Sequence, residues 1–160
     1  MGLTLELAYD RRDEIRPLFQ EYTDMLVRES PSFAEYLKIQ RYGAELDDPE
    51  SKYGLPGGRL YLARVDGAAA GCAALRRLDG TRCELKRMYV RPRYRGQRIS
   101  AALLERILED AREIGYKKML LDTLPFLTTA IAMYKRRGFA EIPGYNESPL
   151  PETIYMELEL

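Results

Sequence analysis

The chain has 160 residues, the size of one ordinary domain over 1–160, and enough length to bury a core without disulfide or metal staples. Its 25 Lys plus Arg balance 25 Asp plus Glu, which excludes the overall basic excess of a protein that lives on nucleic-acid phosphates. No His is present, so imidazole catalysis and His-ligated metal are excluded and no metal is expected.

In chain order, Leu3, Leu5 and Leu7 alternate with polar neighbours as in a half-buried strand. A helix follows, with Asp10 and Asp13 as its expected caps, Pro17 in its first turn, and Leu18, Tyr22, Met25 and Leu26 at helical spacing. Ser32-Phe33-Ala34-Glu35 has the form of a capping box and predicts a second short helix carrying Tyr36 and Leu37. Residues 43–58, with Asp47-Asp48-Pro49 and Leu55-Pro56-Gly57-Gly58, read as a loop. Three strands then follow as an antiparallel meander, Arg59 to Val65, Ala68 to Leu78 and Arg82 to Val90, joined at Asp66-Gly67 and Asp79-Gly80. From Ile99 the positions Leu103, Leu104, Ile107, Leu108, Ala111 and Ile114 follow a 3.6-residue period up to a glycine cap at Gly115. A strand at Lys117 to Asp122, a helix at Leu127 to Arg137 and strands at Phe139 to Ile142 and Thr153 to Leu160 complete the chain. The predicted class is α+β, with a mixed, mostly antiparallel central sheet flanked by helices on both faces.

Cys72 and Cys83 fall on neighbouring antiparallel strands, out of register with each other. Free thiols and a reducing, cytoplasmic setting are therefore expected. Met1 to Glu6 carries an acid where a signal peptide needs a basic flank, and no run approaches the roughly 18 apolar residues of a membrane span, so a soluble chain with no membrane partner is expected.

Between Leu85 and Leu104 stand six basic residues, Lys86, Arg87, Arg91, Arg93, Arg95 and Arg98, and no acid. They surround the passage from a strand, through Arg95-Gly96-Gln97-Arg98, into the start of the most regular helix. A helix start offers unpaired N–H groups and the positive end of the macrodipole, and a glycine admits a ligand close to the main chain. Those features describe a cradle for a phosphate ligand. Neither the nucleotide P-loop pattern nor the dinucleotide-binding glycine fingerprint is present.

The stretch Met88 to Leu104, containing Val90-Arg91-Pro92-Arg93-Tyr94-Arg95-Gly96-Gln97-Arg98-Ile99-Ser100, resembles the pyrophosphate-binding motif of the GNAT superfamily of acyl-CoA N-acyltransferases, usually V-x-P-x-x-R-G-x-G-I-G-x-x-L-L. Ala130 to Phe139, with Tyr134, Gly138 and Phe139, is similar to that family's A-x-x-x-Y-x-x-x-G-F signature. The order of elements agrees along nearly the whole chain, as in the single-domain, bacterial-type members. Arg98 replaces the second motif glycine, Ser100 stands where Gly or Ala is usual, and Leu127 holds a place where many members carry Asn.

The resemblance implies acetyl-CoA as acyl donor and a primary amine of a small molecule, amino acid or peptide as acceptor, joined by direct attack in a ternary complex. It implies a cofactor site made by Met88, Val90, Arg95, Gly96, Gln97, Arg98, Ile99 and Ser100, with the Met88 N–H toward the thioester carbonyl and Val90 toward the pantetheine, at a bulged strand. Tyr134 is the implied catalytic phenol beside the thioester sulfur, and Glu84 the candidate general base, on the cleft side with Met88 unless a bulge intervenes; pairing of Glu84 with Arg76 or Arg77 is the competing expectation. An acceptor wall is expected from Tyr22, Arg28, Phe33, Tyr36, Tyr42 and Tyr53, together with Tyr145-Asn146-Glu147. A regulatory acyl-CoA-binding domain without catalysis stays open as the alternative, a nucleic-acid module is disfavoured by the neutral charge, and exposed sheet edges make a homodimer an expectation.

Overall fold

The computed structural model describes residues 2–160. Seven strands form one sheet in the order β1-β2-β3-β4-β5-β7-β6: β1 Leu3–Leu7, β2 Arg59–Val65, β3 Ala68–Arg77, β4 Arg82–Val90, β5 Lys118–Thr123, β6 Ala140–Ile142 and β7 Ile154–Glu159. All neighbours are antiparallel except β4 and β5.

Among the described residues six α-helices accompany the sheet: α1 Arg12–Glu29, α2 Phe33–Ile39, α3 Tyr42–Asp47, α4 Glu50–Tyr53, α5 Ile99–Ile114 and α6 Thr128–Arg137. The stripe Ile99, Leu103, Leu104, Ile107, Leu108 and Ala111 seats α5 on Tyr61, Leu75, Leu85 and Leu121. Each of its buried Leu and Ile side chains stabilises the fold by roughly 1.5–3 kcal/mol. Tyr134 and Phe139 bring α6 to the same face. On the opposite face α1 buries Ile15, Leu18 and Phe19 against Leu60, Leu62, Cys72 and Tyr89. There α2 joins Leu26, Leu124 and Leu150 in a smaller cluster.

The helix starts differ from expectation. Neither Asp10 nor Asp13 caps α1; Arg11 stands at the N-cap, with no side-chain hydrogen bond. Because the helix begins at Arg12, Pro17 lies beyond the first turn, where its missing N–H removes one intrahelical bond. Ser32 has helical backbone angles and makes no capping bond, so the capping box is not formed. Residues 43–58, expected as a loop, contain most of α3 and all of α4. Those helices, of 6 and 4 residues, are too short to display a full apolar period.

Candidate active site

The parallel pairing of β4 with β5 lasts only from Arg82–Lys118 to Glu84–Leu120. Beyond that point β5 continues its ladder with β7 as far as Thr123, and β4 diverges. The wedge holds a cavity of about 770 Å³, walled by residues 85–90 on one side and 121–124 on the other. This volume lies in the range of ligand sites.

A bulge shapes the β4 wall. Between the pairs Cys72–Tyr89 and Ala74–Lys86, β3 advances two residues while β4 advances three, and Arg87 takes a left-handed backbone with φ +57°. Its guanidinium is fixed from the α1 side: Nε donates to Glu45 Oε2 at 2.6 Å, and Nη2 to Glu45 Oε1 at 2.9 Å and Gln40 Oε1 at 2.7 Å. The Cys72 thiol donates to the Arg87 carbonyl at 3.2 Å. Burial pushes the Glu45 carboxyl upward, but Arg87 and Lys52 outweigh it and hold it at about 2. The bulge reverses the alternation, so Met88 packs with the α5-side core, whereas Arg87 faces Glu45 of α3.

The α5 end of the cavity is built as an anion site. Gly96 has φ +81°, and a Cβ there would meet nothing within 4 Å, so the main chain is open to a ligand. The first bond into the helix is from Ala102 N–H to the Arg98 carbonyl, at 3.1 Å, leaving the preceding N–H groups of the first turn free of helical partners. No acid lies in that turn. Arg98 adopts the left-handed region at φ +60°, the conformation the usual motif glycine takes without strain. Arg95, Gly96, Arg98, Ile99 and Ser100 all line the cavity. Gln97 is exposed and stands outside the lining.

The basic run does not converge on this cradle as a single patch. Arg91 pairs with Glu21 at 2.8 Å, Arg93 lies over the Tyr94 ring, and Arg87 is committed to Glu45. Arg95 Nε donates to the Val90 carbonyl at 3.0 Å, so that carbonyl already has a partner. Arg136 of α6 adds a cation to the cavity wall.

Tyr134 lines the same cavity. Its ring packs on Phe139 with centroids 5.6 Å apart, and burial pushes its phenol far above the usual range, so the group stays protonated. Glu84 is placed differently. Three β4 residues and the bulge separate it from Met88, and it does not line the cavity. Its carboxylate accepts from the Tyr145 hydroxyl at 2.5 Å and lies 3.6 Å from Arg76, which is the cross-strand pairing held open in the sequence.

The expected acceptor wall is only partly assembled. Tyr22, Phe33 and Tyr36 line the cavity, and Arg28 does not. Tyr42 and Tyr53 are core residues beneath α1. From the late loop, Asn146 Nδ2 donates to Asp122 Oδ2 at 2.7 Å and Tyr155 donates to Asn146 Oδ1 at 2.9 Å. Asp122 also accepts from the Tyr36 hydroxyl. Burial pushes the Asp122 carboxyl upward, but Lys86, Tyr36 and Asn146 outweigh it and hold it below its usual range. From the sequence Asp122 is expected only as the end of a strand and Gln40 not at all, while Lys86 and Arg87 are expected only as members of the basic run. Two successive charged residues, Lys86 and Arg87, after the alternation of Arg82 to Leu85 were the available signal of a bulge.

A splayed parallel pair, a bulged strand and an open helix start define an acyl-CoA-dependent acyltransferase fold. Residues 14–139 match the family model described as the acetyltransferase (GNAT) family, and the chain belongs to that family. It is 37% identical over 150 residues to an uncharacterized N-acetyltransferase of Schizosaccharomyces pombe, covering 92% of this chain and 88% of that one. It is also 36% identical over 132 residues to an IAA acetyltransferase of Azospirillum brasilense, covering 77% and 86%. The PaiA N-acetyltransferase of Thermoplasma acidophilum, solved with coenzyme A, shares the fold at a TM-score of 0.75 and 17% identity, over 100% of both chains.

Proposed function

We propose that this member transfers an acetyl group from acetyl-CoA to a primary amine of a small molecule, amino acid or peptide, by direct attack while both substrates are bound. The observation that carries the reading is the through-sheet cavity, with the open start of α5 at one end and Tyr134 in its wall. When bound, acetyl-CoA supplies the activated thioester. The first-turn N–H groups of α5, with Arg95 and Arg98, hold its phosphates, Gly96 admits them to the main chain, and Ile99 and Ser100 complete the cradle. Gln97 contributes its place in the turn. Met88 N–H, on a segment with no partner in the β3 ladder, is assigned to the acyl oxygen, where charge develops during attack. Val90 is assigned to the pantetheine arm, with Arg95 releasing its carbonyl.

Tyr134 is assigned to the departing sulfur, which it holds by a hydrogen bond from a phenol that burial keeps protonated. Glu84 and the Tyr145 hydroxyl that donates to it stand outside the cavity lining, so Glu84 is assigned as a base that takes the amine's proton through solvent. Calorimetric titration with acetyl-CoA, followed by thiol release over a panel of primary amines, tests the reading. Saturable binding and release with at least one amine are expected. Absence of acetyl-CoA binding overturns the proposal, and binding without release on any amine favours a regulatory domain.

A further inference from the structure

Beside the acceptor end of the cavity the charges do not balance. Among the described residues, Lys52, Lys86 and Arg87 meet two carboxylates, Glu45 and Asp122. Glu84, the nearest further acid on β4, is engaged by Arg76 and Tyr145. Lys86 is the group left over. Its side chain is 6% exposed, it lines the cavity, and its ammonium makes no hydrogen bond among the described residues. The nearest carboxylate oxygen, Asp122 Oδ1, lies 3.9 Å away, while Asp122 Oδ2 is taken by Tyr36 and Asn146. Arg87 also lines the cavity, and its Nη1 has no hydrogen-bond partner among the described residues, since Glu45 and Gln40 use Nε and Nη2. The Lys86 ammonium therefore opens into the cavity with no hydrogen-bonded counter-ion, and an anionic group bound there gains a charge-assisted hydrogen bond.

The phosphates of acetyl-CoA are not that anion. Their cradle lies at the start of α5, and the bulge turns Arg87 toward α3 while Met88 packs on the α5 side. We infer that the acceptor is an amine that also carries a carboxylate, an amino acid in its free-acid form, and that Lys86, with Arg87 beside it, binds that carboxylate and determines acceptor specificity. The inference rests on the proposed acetyl transfer and narrows its acceptor class. It also gives the bulge a purpose, because an unbroken β4 would point Lys86 and Arg87 to opposite faces.

Free amino acids, each paired with its α-carboxamide, are compared as acceptors by thiol release. A charge-assisted hydrogen bond to a carboxylate makes kcat/KM for the acid exceed that for the amide by at least about tenfold. Lys86→Met is expected to collapse this ratio through KM for the acid, and Lys86→Arg to preserve it. Acetyl-CoA binding heat in each variant reports that the protein is folded. Equal use of acid and amide, preference for the amide, or a Lys86→Met protein that keeps the wild-type ratio overturns the acceptor assignment alone. Acetyl-CoA binding with no release on any acid does so too. Absence of acetyl-CoA binding to the wild-type protein instead overturns the acetyl-transfer reading beneath it.

Discussion

Tyr134 and Glu45 illustrate how burial sets what a single ionisable group can do. A phenol raised by desolvation stays protonated and keeps its O–H for hydrogen bonding, while giving the proton up less readily. Tyr134→Phe keeps the ring against Phe139 and removes only the donor, so kcat should fall roughly 10²-fold or more with little change in KM for acetyl-CoA, as measured by steady-state thiol release. Glu45 works in the opposite sense, ionised in the interior because Arg87 and Lys52 surround it. Glu45→Gln removes the buried carboxylate that faces Arg87 and Lys52 and should destabilise the fold by roughly 3–5 kcal/mol in urea denaturation. Its folded pKa, about 2, lies below that of an ordinary Glu. The stability contributed by this depression is therefore full above the ordinary range, and is lost progressively as pH falls through that range toward 2. Urea midpoints taken from neutral to acid pH should decline over that interval in the parent, with a smaller decline in Glu45→Gln.

At the scale of elements, the bulge on β4 depends on a close approach from β3. A Cβ at Gly71 would stand 2.5 Å from the Tyr89 carbonyl and 3.2 Å from Val90 Cα, both main-chain atoms with little freedom to yield. Gly71→Ala should therefore cost roughly 1–3 kcal/mol and weaken acetyl-CoA binding, read by denaturation and calorimetry, because the strands must part at the wall of the cavity. The meander and α5 were legible in the sequence because their periods are long and their stops, Asp66-Gly67, Asp79-Gly80 and Gly115, each carry a local turn mechanism. The motif at Arg95 to Ser100 was legible for the same local reason. The relation of Glu84 to Met88 was not, since counting in twos fails when one residue is inserted into a ladder. Nor was the fate of Tyr42 and Tyr53, whose burial depends on how α3 and α4 fold back beneath α1 and not on any spacing of their own.

On the scale of the whole molecule, the sheet is two antiparallel blocks joined by a parallel ladder three residue pairs long. Side chains reinforce the junction where Tyr145 meets Glu84 and Lys86 approaches Asp122. A ligand held in the wedge grips both blocks at once. Saturation with acetyl-CoA at about 100 times Kd adds about 2.7 kcal/mol of stability by mass action, so the melting temperature of a domain this size should rise by roughly 5–10 °C, measurable by calorimetric scanning. The two cysteines sit on opposite faces of this sheet, both free and fully buried, and burial raises both thiols, Cys83 to about 12. A thiol-reactive dye should find no group to label in the folded protein and two in denaturant. The colour that develops in a turnover assay then belongs to released coenzyme alone, and the slow background that remains is a clock for how often the sheet comes apart.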